Sequence, residues 1–422
     1  MPLDNNFQHA EYSRAEPKDR LIYRELPSDP APDSPAWSDA MALSGRQLAR
    51  NGVRLVMLLH GSLLGSDLFG MQRLDEVGGL KRGYSRGISG LDALLALMRE
   101  STNGLAGPPG WPRPPYRNDA ATKQMLDETL GDAGNVTEHA LQLFRKALNR
   151  DIPKPIACER YLWSCEHHHL GRAQAACRLL DDLHRWTEDL RLGPGDRILV
   201  QAHGQAGLLL ALASNLLAPE KLSGYLRFFS ILNDAAGQNP SGSVGQKLLG
   251  TLDRRLREKT ILNGAALDVV TFGTPVRYGW DPAGIGKLLH IVNQRMLRID
   301  GKTWLAKTEL PQITMELPIA WGGDYVQQLA VAGTDATPVS TEAQAANKAL
   351  WELLEPWDGF ERWLECARRS VRCHNDGLCL LADYKDSTGS TQARDHYYGH
   401  AAYTRLNAML FNTSEIAAAL YP

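Results

Sequence analysis

The sequence predicts an α/β fold, a mostly parallel central sheet with helices on both faces. Short apolar runs of strand length (Val53–Leu59, Ile198–Ala202, Leu267–Phe272) each stop at a turn of small residues, as buried strands of a parallel sheet do. Stretches with apolar residues at helical spacing lie between the runs, giving a β-α-β alternation. The closing turns His60-Gly61, His203-Gly204 and Gly273-Thr274-Pro275 fall at the carboxyl ends of the strands, where open α/β sheets hold their ligands.

Taken in order, residues 1–50 are polar and rich in proline between Pro27 and Pro35, and read as an N-terminal arm on a body spanning 51–422. Val53–Leu59 is a buried strand. Residues 65–155 mix glycine turns, a proline-rich loop at 107–115 and helical patches at Leu91–Met98 and His139–Leu148, and read as an insertion. Tyr161-Leu162-Trp163-Ser164 is the next strand candidate. Ala173, Ala176, Cys177, Leu180 and Leu183 then mark an amphipathic helix over 171–190. Gly193-Pro194-Gly195-Asp196 turns the chain into the strand at Ile198–Ala202, followed by a helix from about Ala206 to Leu217. Residues 218–265 form a second insertion, and either insertion could serve as a lid or cap. Leu267–Phe272, Leu288–Asn293 and, more weakly, Gly377–Asp383 complete the strands, and a last helix is expected over Ala402–Phe411.

Composition narrows the partners. The formal net charge of −2 on 422 residues gives no electrostatic footprint for nucleic acid or an anionic membrane surface. No run approaches the roughly 18 apolar residues of a membrane span, and Met1-Pro2-Leu3-Asp4-Asn5-Asn6 lacks the regions of a secretory signal. The default expectation is a soluble cytoplasmic protein, with export by a signal-independent route left open. The cysteines at 158, 165, 177, 366, 373 and 379 include no CxxC pair, so free thiols are expected rather than a Cys373–Cys379 disulfide or a metal half-site. His167-His168-His169 does not read as a metal site, because adjacent rings on a loop do not converge on one ion and no second ligand cluster has zinc-like spacing. No metal and no cofactor are expected.

The stretch with the most chemistry in it is Arg197-Ile198-Leu199-Val200-Gln201-Ala202-His203-Gly204-Gln205-Ala206-Gly207, an apolar strand, a tight turn and an apolar helix. That is the layout of a nucleophile elbow, which lifts a serine above the sheet. Here the serine position holds Gly204. The turn His60-Gly61-Ser62 follows a buried strand and could aim backbone N–H groups at a developing oxyanion.

With Thr271-Phe272-Gly273-Thr274-Pro275 and the segment from Trp163 to Arg172, these pieces resemble the α/β-hydrolase superfamily, its lipase and esterase branch. More narrowly, the polar arm and large insertions are similar to bacterial lipase-like proteins, including some effectors. The resemblance covers 53–64 and 160–293, and it implies an α/β-hydrolase fold. Ala202 and Ala206 replace the two flanking glycines of the motif, a mild change, whereas Gly204 removes the nucleophile, because glycine cannot form an acyl-enzyme. Gly83-Tyr84-Ser85-Arg86-Gly87 matches the motif literally but follows no strand. Ser62 reads as structural, and Ser214 falls on the wrong part of the helix after the elbow.

The family's chain order, nucleophile then acid then histidine, points to Asp324 in Gly322-Gly323-Asp324 as the acid, with Asp335 second and Asp281 third. Each could equally be a turn aspartate bonded to its own backbone. Of the late histidines, His400 in Gly399-His400-Ala401 comes first and His396 second. The oxyanion and binding groups would come from Gly61, Ser62, Gln205 and His203. The implied substrate is a small-molecule ester or lipid, with a peripheral lipid contact allowed by Leu63, Leu64, Leu68, Phe69 and Met71, which could equally be core. Protein partners are not legible. Gly204 has two explanations: a Ser→Gly replacement in an otherwise working hydrolase, which the retained turn, acid and histidine favour, or a natural pseudo-hydrolase that binds a ligand or a protein.

Overall fold

The computed structural model describes residues 7, 21–27, 30–61, 118–132, 134–163, 166, 168–218, 222–237, 242–293, 324, 327, 338, 341–355, 374, 376–384 and 399–422. Within them lies a seven-stranded sheet, all parallel: β1 (Leu21–Glu25), β2 (Val53–Leu59), β3 (Ala157–Tyr161), β4 (Arg197–His203), β5 (Ala266–Phe272), β6 (Lys287–Asn293) and β7 (Leu378–Asp383). Their spatial order is β1-β7-β6-β5-β4-β2-β3. The strands of the sheet interior are almost wholly buried, which is why they read as unbroken apolar runs rather than alternating ones.

The helices are α1 (Pro35–Arg50), α2 (Ala120–Leu130), α3 (Glu138–Leu148), α4 (His169–Asp189), α5 (Ala206–Leu217), α6 (Leu222–Gly237), α7 (Gly242–Arg257), α8 (Thr341–Leu354) and α9 (Met409–Leu420). One face of the sheet packs on α1, α3 and α9, through Trp37, Met41, Phe144, Leu148, Phe411 and Leu420. The other packs on α4 to α8, through Leu179, Leu183, Leu209, Leu212, Phe228 and Leu353. α5 is apolar on all sides and buried from Ala206 to Leu216, so it lies inside the second layer rather than on it. Its start, and hence the turn before it, is held from every side.

Several sequence expectations change here, among them the strand candidate at Tyr161-Leu162-Trp163-Ser164, because the strand is Ala157–Tyr161 and ends where the candidate begins. The arm expected over 1–50 contains an edge strand and a core helix. β1 pairs with β7, and α1 is capped by Ser34, whose hydroxyl accepts from the Trp37 N–H at 3.3 Å, with proline in its first turn. Phe7 is also buried, stacked on Phe228 at 5.4 Å between ring centroids. The insertion at 218–265 is part of the body, because Phe228, Leu232, Leu249 and Leu252 on α6 and α7 share the core of α4 and α5. The same holds for the later part of the insertion at 65–155, where α3 packs against α1. The last helix begins at Met409, and the segment Gly399–Thr404 before it is a 3-10 turn.

The strand order positions the site. β2 and β3 run outward to one edge, whereas β4, β5, β6 and β7 succeed one another toward the other. The reversal falls between β2 and β4, and a crevice outside the carboxyl ends at such a point is the general ligand position of open α/β sheets. Gly61 follows β2 and Gly204 follows β4. Among the described residues, no helix is long and apolar enough to cross a membrane.

Candidate active site

Gly204 stands at the turn between β4 and α5 with φ +55°, a left-handed conformation that glycine adopts without steric cost. Its N–H donates to the Phe272 carbonyl at 2.7 Å, and its carbonyl accepts from the Thr274 hydroxyl at 2.7 Å. The turn is thus bolted to the end of β5. A Cβ placed on Gly204 would lie 2.7 Å from Nε2 of His400 and 3.9 Å from Cα of Gly61. The imidazole therefore faces residue 204 directly.

His400 is buried in the 3-10 turn Gly399–Thr404. Its Nδ1 lies 2.8 Å from Oδ2 of Asp324. A buried carboxylate opposite Nδ1 assigns the proton to that nitrogen and leaves the Nε2 lone pair pointing at residue 204. Asp324 is fully buried. Its backbone N–H donates to the Asn293 carbonyl at 2.9 Å, so it hangs from the end of β6. Its Oδ1 accepts from the Gln327 N–H at 2.8 Å, and its Oδ2 also accepts from the Tyr403 hydroxyl at 2.8 Å.

Two more side chains fix this pair. The Asn293 Nδ2 group donates to the Gly399 carbonyl at 3.0 Å, and His203 Nε2 donates to the His400 carbonyl at 2.7 Å. Burial drives the His203 imidazole well below its ordinary range, so the ring is neutral with its one proton on Nε2. The bare Nδ1 lies against Gly61, where a Cβ would come within 2.1 Å of it. Gly273 is squeezed the same way, with φ +58° and a Cβ that would meet Asp324 Oδ2 at 2.3 Å. Only glycine lets the chain pass beside the carboxylate.

The oxyanion candidates separate. Gln205 precedes the first turn of α5, and among the described residues nothing accepts from its backbone N–H. That N–H sits at the positive end of the helix dipole, beside residue 204. The Gly61 N–H is engaged, donating to the Gly134 carbonyl at 2.9 Å, so Gly61 is not an oxyanion donor. The His203 ring is not one either, because its one ring N–H holds the His400 carbonyl. Ser62 lies outside the described residues, as do Asp335, His396, Ser85 and the apolar residues 63–71. His60 is buried and accepts from the Trp163 N–H at Nε2, 3.2 Å, while Nδ1 faces the Gly61 carbonyl at 3.1 Å. Burial holds this ring down to about 4, so it too is neutral.

The remaining candidates are structural. Asp281 accepts from the Ala283 N–H at 3.0 Å and starts a 3-10 turn. Ser214 is tied to the Ala211 carbonyl and the Asp281 N–H. His168 caps α4 by accepting from the Gly171 N–H, and His169 bonds the Tyr278 hydroxyl at 2.7 Å. Among the described residues no group of three or more His, Cys, Asp or Glu could hold a metal ion. Cys158, Cys177 and Cys379 are buried.

Sequence reasoning missed Tyr403, Asn293, Thr274 and Gly134. Tyr403 carried a local signal, three residues after His400 and so within reach of the same turn, and Thr274 stood in the closing turn Gly273-Thr274-Pro275. Comparison with protein-family models, with curated proteins and with solved structures found no match.

Proposed function

We propose that this chain is an α/β-hydrolase of the lipase and esterase branch, a scaffold for hydrolysis of carboxylic esters of small-molecule or lipid type, with glycine at the nucleophile position. The observation that carries the reading is the His400 imidazole, turned by Asp324 so that Nε2 faces residue 204 at the switch point of the sheet. With serine at 204, the Oγ proton passes to His400 Nε2 as Oγ attacks the ester carbonyl, and the Gln205 N–H stabilises the oxyanion. Collapse returns the proton to the leaving alcohol. Water then attacks the acyl-enzyme by the same route, releasing the acid. With Gly204 the base has no hydroxyl to activate, and the chain binds ester without forming an acyl-enzyme.

The test is Gly204→Ser assayed on short- and long-chain p-nitrophenyl esters. Activity that appears in the variant, and disappears again with His400→Gln, supports the reading. A folded variant as inert as the Gly204 chain sinks it. One adjustment is required: the 2.7 Å between a residue-204 Cβ and Nε2 is too short for carbon, so the ring must withdraw by several tenths of an ångström.

That same crowding favours a second reading, a ligand-binding or protein-interaction module settled on glycine. His400 is held both at Nδ1 and at its backbone carbonyl, and the ring closes on Gly204. Calorimetric binding of an uncleavable ester analogue by the Gly204 chain, with no hydrolysis in Gly204→Ser, is the outcome that selects it.

A further inference from the structure

We propose that Tyr403 is a positioning residue of the acid–base pair, sharing Asp324 Oδ2 with His400 and setting how much of the carboxylate's charge the imidazole feels. The inference rests on the reading of His400 and Asp324 as that pair.

The hydrogen-bond directions are fixed by elementary inventory. The Asn293 N–H can only donate, and it points at the Tyr403 hydroxyl oxygen at 2.7 Å. A carboxylate can only accept, so the hydroxyl proton lies on Asp324 Oδ2, 2.8 Å away. His400 Nδ1 approaches that same oxygen at 2.8 Å, while Oδ1 takes the Gln327 N–H. Tyr403 and His400 therefore compete for one oxygen in a fully buried setting, where charge-assisted bonds are strong and each polarises the other. Tyr403 cannot drift. It is 3% exposed, packed on Phe272 and Tyr384 at 5.8 and 5.4 Å between ring centroids, and on His203 at 5.7 Å.

The expected effect has a definite sign. Removing the phenol donor returns charge to Oδ2 opposite the imidazole, which favours the protonated ring. The base is then lost at higher pH. The neighbours do not blur this readout. Burial keeps the ring of His203 on β4 well below its ordinary range and holds that of His60, after β2, down to about 4. Burial raises the Tyr384 phenol, beyond β7, and that of Tyr403 well above their ordinary range.

The experiment is Tyr403→Phe, which deletes one oxygen and keeps the ring. In the Gly204→Ser background the acid limb of the kcat/KM profile should move up by about half to one pH unit. In the chain as it stands, with Gly204, the NMR signal of the His400 Nδ1 proton should move downfield, because it no longer shares its acceptor. A folded Phe variant in which both limb and signal stay put overturns the proposal and makes Tyr403 packing alone. Should Tyr403→Phe fail to fold, the unaltered chain decides. The Tyr403 hydroxyl proton and the His400 Nδ1 proton, both on Oδ2, should show a nuclear Overhauser contact, and its absence with both signals visible overturns the sharing. The NMR arms need no catalysis, so a dead Gly204→Ser enzyme would count against the hydrolase reading and leave this result standing.

Discussion

Two buried aspartates, one at each end of the sheet, have the same burial and opposite consequences. At the amino end, Asp268 on β5 takes two hydrogen bonds from Arg197, at 2.5 and 2.7 Å, and a third from the Tyr421 hydroxyl at 2.6 Å. At the carboxyl end, Asp324 takes His400, Tyr403 and the Gln327 N–H. Both carboxylates are wholly buried and both are saturated with donors. The difference is the donor set against the carboxylate. Arginine never gives up its proton, so Asp268 is a permanent staple between β4, β5 and the C-terminus. Histidine can exchange a proton, and it has a second nitrogen to do it with, so in the proposed hydrolase the same arrangement serves chemistry.

Four measurements can break or sharpen that contrast. The largest effect is expected from Asp324→Asn in the Gly204→Ser background, where the His400 tautomer is lost. Turnover should drop by roughly 10⁴-fold, with the folded state retained by circular dichroism. A drop of only a few-fold would mean that the carboxylate is another staple. Asp268→Ala should do the reverse, losing about 3 kcal/mol in urea denaturation because Arg197 is left uncompensated, while turnover per folded molecule in Gly204→Ser is unchanged.

Acid should weaken the fold through histidines that are buried uncharged. His60 and His374 are held down by burial, to about 4 and about 3. From pH 6.5 down to 5 the unfolded chain takes up a proton at each and the folded chain does not, so stability falls with pH by up to about 2 kcal/mol per histidine. Above pH 6.5 this contribution is flat. A urea midpoint that is the same at pH 7.5 and pH 5 would refute it. The smallest effect is expected from Gly207→Ala, whose new Cβ would come 2.1 Å from the Thr274 hydroxyl. Overpacking should cost about 1–2 kcal/mol and pull Thr274 from the Gly204 carbonyl, read as a lowered melting temperature.

Much of this was legible in the sequence where one short segment carries its own signal. β2, β4 and β5 are apolar runs with glycine stops, β6 is an apolar run without one, and the turn at 203–205 announces itself by the strand before it and the helix after it. Asp324 and His400 were chosen by the chain order of the family the sequence resembles, and the structure sets Asp324 against His400 and His400 against Gly204. What was missed depends on contacts between distant segments. Nothing local says that the Gly61 N–H is taken by Gly134, or that His203 reaches the His400 carbonyl. α1 is a different case. Ser34-Pro35 is a cap followed by a first-turn proline, and Trp37, Met41 and Leu48 recur at helical spacing. The proline cluster before them obscured a helix that was written plainly.

The loop at 131–135 carries a consequence of its own. Gly134 accepts from Gly61 and donates to the Thr404 hydroxyl, 270 residues further along, and that hydroxyl donates in turn to the Asp132 carbonyl. Asn293, Asp324 and Tyr403 are likewise far apart in the chain. Closing such long loops is the slow part of folding. His400, Asp324 and their supports are therefore brought together only once the segment Gly399–Thr404 has docked, and a chain that has already built β2 to β6 still lacks them.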